Sequence, residues 1–362
     1  MATTELRKNA ASLSPVERQN FLRAILLLRR TPASGNPNVT IYDQFVALHG
    51  AVMSVAVQGT PGTINFGHWN IGFCAWHREY LRRFELELQK LVPGVTVPYW
   101  DWSNHTQART RIFINDFMGP LLTPIGQGAP RPMTTGFFSL NGPAQTPAWL
   151  PANAKGWRIP PSLQEIQYPA TNPNRQTLQS TLHRGSSGET WPPSSAQMTH
   201  LSQLNVSQVG YHKFWFFWNQ LEAGMPDVTP PFAEIPTHNA AHRFIGGHMG
   251  GTYSPNDPIF WLHHANVDRI WAQWQKVQLG IGGSHPRSAD YPPITQSDPW
   301  NNDPIPLGHR LNDEMWPWVT NPGNFSAEVD PQITALLAGF PQTPVRKVSD
   351  VLDPIAMGYD YA

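Results

Sequence analysis

The stretch SPNDPIFWLHHANVDRIWAQWQ, Ser254 to Gln275, decides how the chain is read. From Asp257 to Val277 it reads as one long helix, rich in aromatics, with the adjacent pair His263–His264 inside it. Burying imidazoles in such apolar surroundings costs several kcal/mol, roughly, unless each ring is hydrogen-bonded or ligated. Working upstream, His238 and His242 sit four residues apart, so on a helix both rings leave the same face. That helix, His238 to Ile245, meets a natural stop at Gly246–Gly247. The pair lacks the Glu of an HExxH motif, which argues against a zinc protease.

Three further histidines share this apolar context. His49 lies within a helical block from Ile41 to Val57, where Phe45, Leu48, Val52 and Val55 recur at helical spacing. His68 sits in the Gly-flanked loop NFGHWN, and His77 opens a helix running from Trp76 to Leu91 (WHREYLRRFELELQKL). A metal ion would remove the cost of so many buried rings. Neutral imidazole suits copper, zinc, iron and nickel, and an all-His set without a carboxylate narrows the choice to copper or zinc.

Composition bounds the rest. The 362 residues are 40% apolar, with 15 Trp and 17 Phe, enough for a sizeable core and against global disorder. Lys+Arg and Asp+Glu each number 25, so no basic footprint for nucleic acid exists. The lone Cys74 excludes an internal disulfide framework, a Cys-based zinc ribbon and an iron–sulfur cluster, and reads as a buried apolar thiol. No run approaches the roughly 20 apolar residues that span a bilayer. The N-terminal run Ala24–Leu28 is too short for a signal peptide and is closed by Arg29–Arg30. Ser14–Pro15–Val16–Glu17 is instead a helix capping box, with Phe21, Ile25 and Leu28 as the buried stripe. A soluble, cytoplasmic protein without a membrane or nucleic-acid partner is expected. The 37 Pro predict long irregular connections, above all from Ser103 to Gly210 and from Gly280 to Pro322, and the tail from Ala327 to Ala362 reads as mixed. The expected fold is mainly α, a single domain over residues 1–362, with a four-helix-bundle core wrapped by long loops and a few short strands.

The segment Ser254–Gln275 resembles the second copper motif of tyrosinases and polyphenol oxidases. HNAAHRFIGGHM (His238–Met249) is similar to the two-His helix that precedes it, NIGFCAWHREYLRRFE (Asn70–Glu85) to the first copper motif, and VPYWDW (Val97–Trp102) to the segment after that. The likeness runs from Arg7 to Tyr359–Asp360–Tyr361 and fits a bacterial-type catalytic domain. It implies two copper ions: one held by His49, His68 and His77, the other by His238, His242 and His264, with His263 structural. Asn266 and Asp268 become candidates for orienting the ligands. Relatives often crosslink a Cys to the middle ligand of the first copper. Here that position is Phe66, so no thioether forms and His68 is expected to move more freely. Arg7 is expected to stack on the closing tyrosine motif. No shielding domain follows that motif, so activity without proteolysis is expected.

The resemblance also implies a substrate. Two coppers facing one O2 each supply one electron, and phenols are oxidised: monophenols to catechols by ortho-hydroxylation, and catechols to o-quinones. In the family a water held by a Glu and an Asn takes the phenol's proton. Asn239, directly after the first ligand of the second copper, is the expected Asn. Glu234, four residues before His238, is preferred for the Glu, with Glu222 in the stretch Asn219–Glu222 as the alternative. Arg243 is a candidate for steering carboxylate-bearing substrates. Gly251, thirteen residues before His264, stands where a bulky gate is common and implies an open mouth. A catechol oxidase limited to diphenols, an oxygen carrier of the haemocyanin kind and a zinc hydrolase are the competing readings. A separate copper chaperone is a possible partner.

Overall fold

The computed structural model describes residues 4–122, 130–164, 180–185, 194–204, 211–223, 237–280, 286–292 and 304–362. Eight helices organise them: α1 Pro15–Leu28, α2 Ile41–Ala51, α3 Phe73–Leu91, α4 Ser195–Gln203, α5 Tyr211–Trp218, α6 Thr237–Ile245, α7 Ile259–Gly280 and α8 Pro331–Leu336. Shorter helical turns lie between them. The strands are brief: β1 Glu5–Arg7, β2 Pro32–Ala33, β3 Asn36–Thr40, β4 Val55–Val57, β5 Thr63–Ile64, β6 Arg131–Pro132, β7 His183–Arg184, β8 Phe325–Ala327 and β9 Tyr359–Tyr361. The architecture is thus mainly α, with α2, α3, α6 and α7 at its centre.

Local sequence explains the element ends. α1 opens on the expected capping box: Glu17 N donates to Ser14 Oγ at 3.3 Å and Ser14 N to Glu17 Oε2 at 2.9 Å. Thr40 and Asp43 repeat the device at α2. α6 stops where foreseen, because Gly246 and Gly247 take φ of 61° and 55°, and a Cβ on Gly247 would strike the His183 carbonyl. α3 begins a turn earlier than its sequence suggests, at Phe73, and α7 runs on to Gly280.

Three expectations need correction. The helix read from Ile41 to Val57 ends at Ala51, because Val55–Val57 is claimed as β4 by antiparallel ladders on both sides, to β5 and to β8. β-branched residues suit that role as well as a helix face. Within the stretch from Ser103 to Gly210, read as loop, α4 forms behind its own capping box, Ser194 with Gln197, and packs on α7. The aromatic α5 carries no distinct helical stripe in its sequence, YHKFWFFW, and went unforeseen.

One continuous hydrophobic cluster runs from Ala10 to Leu352. Trp261 of α7 stacks on Phe84 of α3 with centroids 3.4 Å apart and planes 3° from parallel. Its indole N–H donates to the Tyr42 hydroxyl at 3.0 Å, which donates to the Pro255 carbonyl at 2.6 Å. These contacts lock α2, α3 and α7 together.

A buried ionic cluster closes the chain on itself. β1 and β9 pair in parallel, Arg7 opposite Tyr361. The Arg7 guanidinium lies 3.6 Å over the Tyr359 ring, forks onto Glu85 (3.0 and 2.8 Å) and donates to Asp268 at 3.1 Å. The stacking expected of Arg7 is therefore present. Asp268 also accepts from Arg78 and, at 2.6 Å each, from the Tyr359 and Tyr361 hydroxyls. Burial alone would raise the Asp268 carboxyl, but Arg78 and Arg7 outweigh it and hold it below the ordinary carboxyl range. Its stabilisation is therefore present above that range and lost as pH falls through the lowered folded value. Asp268→Asn is expected to cost about 3 to 5 kcal/mol at neutral pH, as for any buried ion pair left half made. In urea denaturation at neutral and acid pH the difference from wild type should shrink in acid. An equal difference at both pH values would contradict this.

Candidate metal centre

The four central helices bring the histidines together from five segments. His49 comes from α2, His68 from the loop after β5, His77 from α3, His238 and His242 from α6, and His263 and His264 from α7. All seven rings are buried or nearly so. They fall into two sets able to hold a metal: His49, His68 and His77, and His238, His242, His263 and His264, with candidate ligand atoms within 4.8 Å of one another in each.

Hydrogen bonds to Nδ1 fix how most of these rings face. Nδ1 of His49 donates to the Thr252 carbonyl at 2.6 Å, of His77 to the Phe73 carbonyl at 2.9 Å, and of His242 to the Met249 carbonyl at 2.6 Å. Nδ1 of His68 donates to Glu222 Oε1 at 3.0 Å, and Nδ1 of His238 to Asn239 Oδ1 at 2.8 Å. Each of these partners is an acceptor, so Nδ1 carries the proton and Nε2 is left with a bare lone pair. Burial, and for several rings their histidine neighbours, keeps all seven neutral; His68 is pushed down to about 3 and His242 to about 4.

The bare lone pairs converge. Nε2 of His49 and His68 lie 3.1 Å apart, as do Nε2 of His238 and His242. With both Nδ1 atoms protonated, neither contact can be a hydrogen bond, and two lone pairs facing one another repel. Nε2 of His77, and both ring nitrogens of His263 and His264, are buried without a hydrogen-bond partner. A cation within each set resolves the facing lone pairs and gives a partner to Nε2 of His77 and to one nitrogen of His264, and carboxylate, carbonyl and amide partners behind the rings are the support that ligating imidazoles require.

His263 and His264 differ in placement. His264 stacks on His77 (4.3 Å, 8°) and also meets His49, His238 and His242, so it stands between the two sets. His263 meets only the second set and rests on Trp102 at 5.0 Å. Asn266 and Asp268 reach none of the ligating rings: Asn266 accepts from Arg269, and Asp268 belongs to the ionic cluster. His248 is buried but accepts from the His183 N–H at 2.9 Å, and His212 packs on Tyr211 at 4.4 Å; neither joins a metal-holding set. Cys74 is a buried free thiol outside both sets, with its pKa driven well up by burial.

Glu222, the alternative to Glu234 in the sequence, is the carboxyl that reaches the site. It is fully buried on the turn Asn219–Ala223, and burial pushes its carboxyl up to about 8 against the hydrogen bonds it accepts. Oε1 accepts from His68 Nδ1 and from Trp69 N (3.0 Å), and Oε2 accepts from Trp218 Nε1 at 2.7 Å. Asn239 Nδ2 donates to the Glu222 carbonyl at 2.9 Å. Glu234, preferred on spacing, lies outside the described residues. His68, expected to be loose for want of a thioether at Phe66, is held by Glu222 and by Asn65 Oδ1, which accepts its backbone N–H at 2.8 Å.

A cavity of about 620 Å³ opens over the two sets. Its walls include His49, His68, His238, His242, Asn239 and Arg243, with Gly250 and Gly251 at the rim. A Cβ added to Gly250 would meet nothing within 4 Å, so this side of the mouth is open. Trp69, also in the lining, takes φ of 57°, which costs a residue with a side chain about 1 to 2 kcal/mol.

Seven converging imidazoles in two sets, six on helices and His68 on a loop, define a dinuclear, all-nitrogen metal protein. The comparisons identify the kind. The family described as the common central domain of tyrosinase matches residues 39–277. A tyrosinase of Streptomyces glaucescens is 31% identical over 313 residues, 86% of this chain and 92% of that one. A grixazone synthase of Streptomyces griseus is 31% identical over 325 residues, 84% of this chain and 93% of that one. The structure of a polyphenol oxidase variant from Thermothelomyces thermophila shares the fold, with a TM-score of 0.60 at 20% identity over 99% of this chain and 89% of that one. The chain belongs to the tyrosinase family and is a copper enzyme with a dinuclear site.

His242→Ala is expected to leave about one copper per chain by elemental analysis. His264→Ala should do the same, whereas His263→Leu should keep two. Loss of a copper from His263→Leu alone would exchange the roles of the adjacent pair.

Proposed function

We propose that this enzyme hydroxylates monophenols ortho to their hydroxyl and oxidises the resulting o-diphenols to o-quinones. In this reading His49, His68 and His77 hold one copper, and His238, His242 and His264 the other. When bound, the copper pair supplies the two-electron reduction of O2 that phenol oxidation requires. The protein's part is to hold the rings, admit the phenol and receive its proton.

The observation that carries the reading is the Asn239–Glu222 corner. Asn239 lines the cavity, holds His238 through Oδ1 and is tied to the Glu222 backbone through Nδ2. Glu222 in turn holds His68. One ligand of each copper is thereby braced by a single connected pair. Glu222 accepts from His68 and Trp69 on Oε1 but only from Trp218 on Oε2, so Oε2 is the oxygen with capacity left for a water. We assign the phenol's proton to a water held at this corner, with Glu222 in the place first given to Glu234. The open space at Gly250, beside Gly251 in the cavity lining, supports access of a monophenol to the metals. Arg243, exposed on the cavity wall, supports a preference for phenols that carry a carboxylate.

Tyramine and a catechol are the discriminating substrates. Tyramine is expected to be oxidised after a lag and catechol without one; inertness toward tyramine beside brisk catechol oxidation would leave a catechol oxidase. Asn239→Gly is expected to lower the ratio of monophenol to diphenol turnover about tenfold, less than the roughly hundredfold or more of a proton-transfer group itself, because Asn239 only helps to position the water. An equal loss on both substrates would show that Asn239 only supports the fold.

A further inference from the structure

We infer that the Trp69 indole is a stacking wall for the outer part of the substrate and selects phenols bearing a second aromatic ring. The inference rests on the reading that the cavity over the histidines receives phenols.

Three observations meet at this residue. Ten tryptophans of the chain are fully buried, whereas Trp69 is 62% exposed. Leaving a large aromatic face in water gives up the burial that the other indoles gain. Trp69 also holds a left-handed backbone, φ 57°, the only positive φ at a non-glycine among the described residues. Such conformations persist where the surroundings enforce them, and they collect at functional sites. Here the enforcing contact is visible: Trp69 N donates to Glu222 Oε1, the same oxygen that holds His68. The ligand His68 and the indole are therefore set by one buried carboxylate. Finally, Trp69 is one of the residues that line the cavity over the histidines.

Size and position then choose the ligand. A cavity of about 620 Å³ falls in the range that encloses a drug-sized molecule, well beyond a single six-membered ring. The reacting ring must reach the histidine floor. Trp69 follows His68 directly and keeps most of its face in solvent, so it meets what projects outward from that ring. A flat aromatic substituent gains most from an indole face by offset or edge stacking. Gly250, also in the cavity lining, adds no side chain, and a Cβ there would meet nothing within 4 Å, which leaves room for it.

The test compares biphenyl-3,4-diol with 4-methylcatechol on the copper-loaded enzyme. Both are diphenols, so failure of monophenol hydroxylation would not touch the result. In Trp69→Ala the ratio of kcat/KM for the two-ring over the one-ring catechol is expected to fall about tenfold, through a rise in KM for the two-ring substrate. Trp69→Phe, which keeps a stacking face, should retain most of the ratio. Trp69→Gly, suited to the left-handed backbone, should lose the ratio as the Ala variant does without a lower Tm, and it carries the test should the Ala variant fold poorly. An unchanged ratio in both the Ala and Gly variants, an equal loss on both catechols, or a Phe variant no better than Ala would overturn the inference.

Discussion

The structure depends on lone pairs that face each other. Five imidazoles spend their Nδ1 proton on a carbonyl, a carboxylate or an amide oxygen, and so turn a bare Nε2 inward. In two places these nitrogens stand 3.1 Å apart with no proton to share. A chain built only for packing would avoid that arrangement, since unpaired buried polar atoms are costly. The stacking of Trp261 on Phe84, the Tyr42 relay and the helix caps hold the backbone so that the rings cannot turn away. Metal binding and folding therefore share one free-energy balance, as in other proteins whose ligands converge only when folded.

The polar residues divide into two separate networks with different duties. Arg7, Arg78, Glu85, Asp268 and the two closing tyrosines join the first and last strands to α3 and α7, and they touch no ligating ring. Glu222, Asn239, Trp218 and the Trp69 backbone form the other, immediately behind His68 and His238. The first network secures the helices; the second sets ring orientation and shapes the cavity mouth. Asp268 sits four residues from His264, yet it serves the first network, because its place on the helix turns it toward Arg7 and Arg78.

Much of this is legible in the sequence. The capping box at Ser14, the glycine stop after Ile245, the helical centre, the His238–His242 pair and the apolar context of the other histidines follow from spacing and residue type, whereas the division into two sets and the choice of copper come from the family likeness. What escapes is long-range. Glu222 stands only as the alternative to Glu234 on spacing, because it lies sixteen residues before His238 and 154 after His68 and no local spacing shows its contact with His68. Its partner contacts exist only after α5 and α6 pack. Val55–Val57 has apolar residues that fit a helix face equally well, and only two neighbouring strands decide for β4. The strain at Trp69 is likewise invisible in NFGHWN, because it follows from a hydrogen bond to a residue far along the chain.

The central claim is that two cations complete the seven-ring cluster. Its most direct test is titration of copper into the metal-free protein, with a weak chelator present to remove loosely held ions, while Tm is followed. The account predicts an end point at two coppers per chain and a Tm that rises with each, because ions that bind only the folded state stabilise it. An end point at one or none, or a Tm indifferent to bound copper, would contradict it.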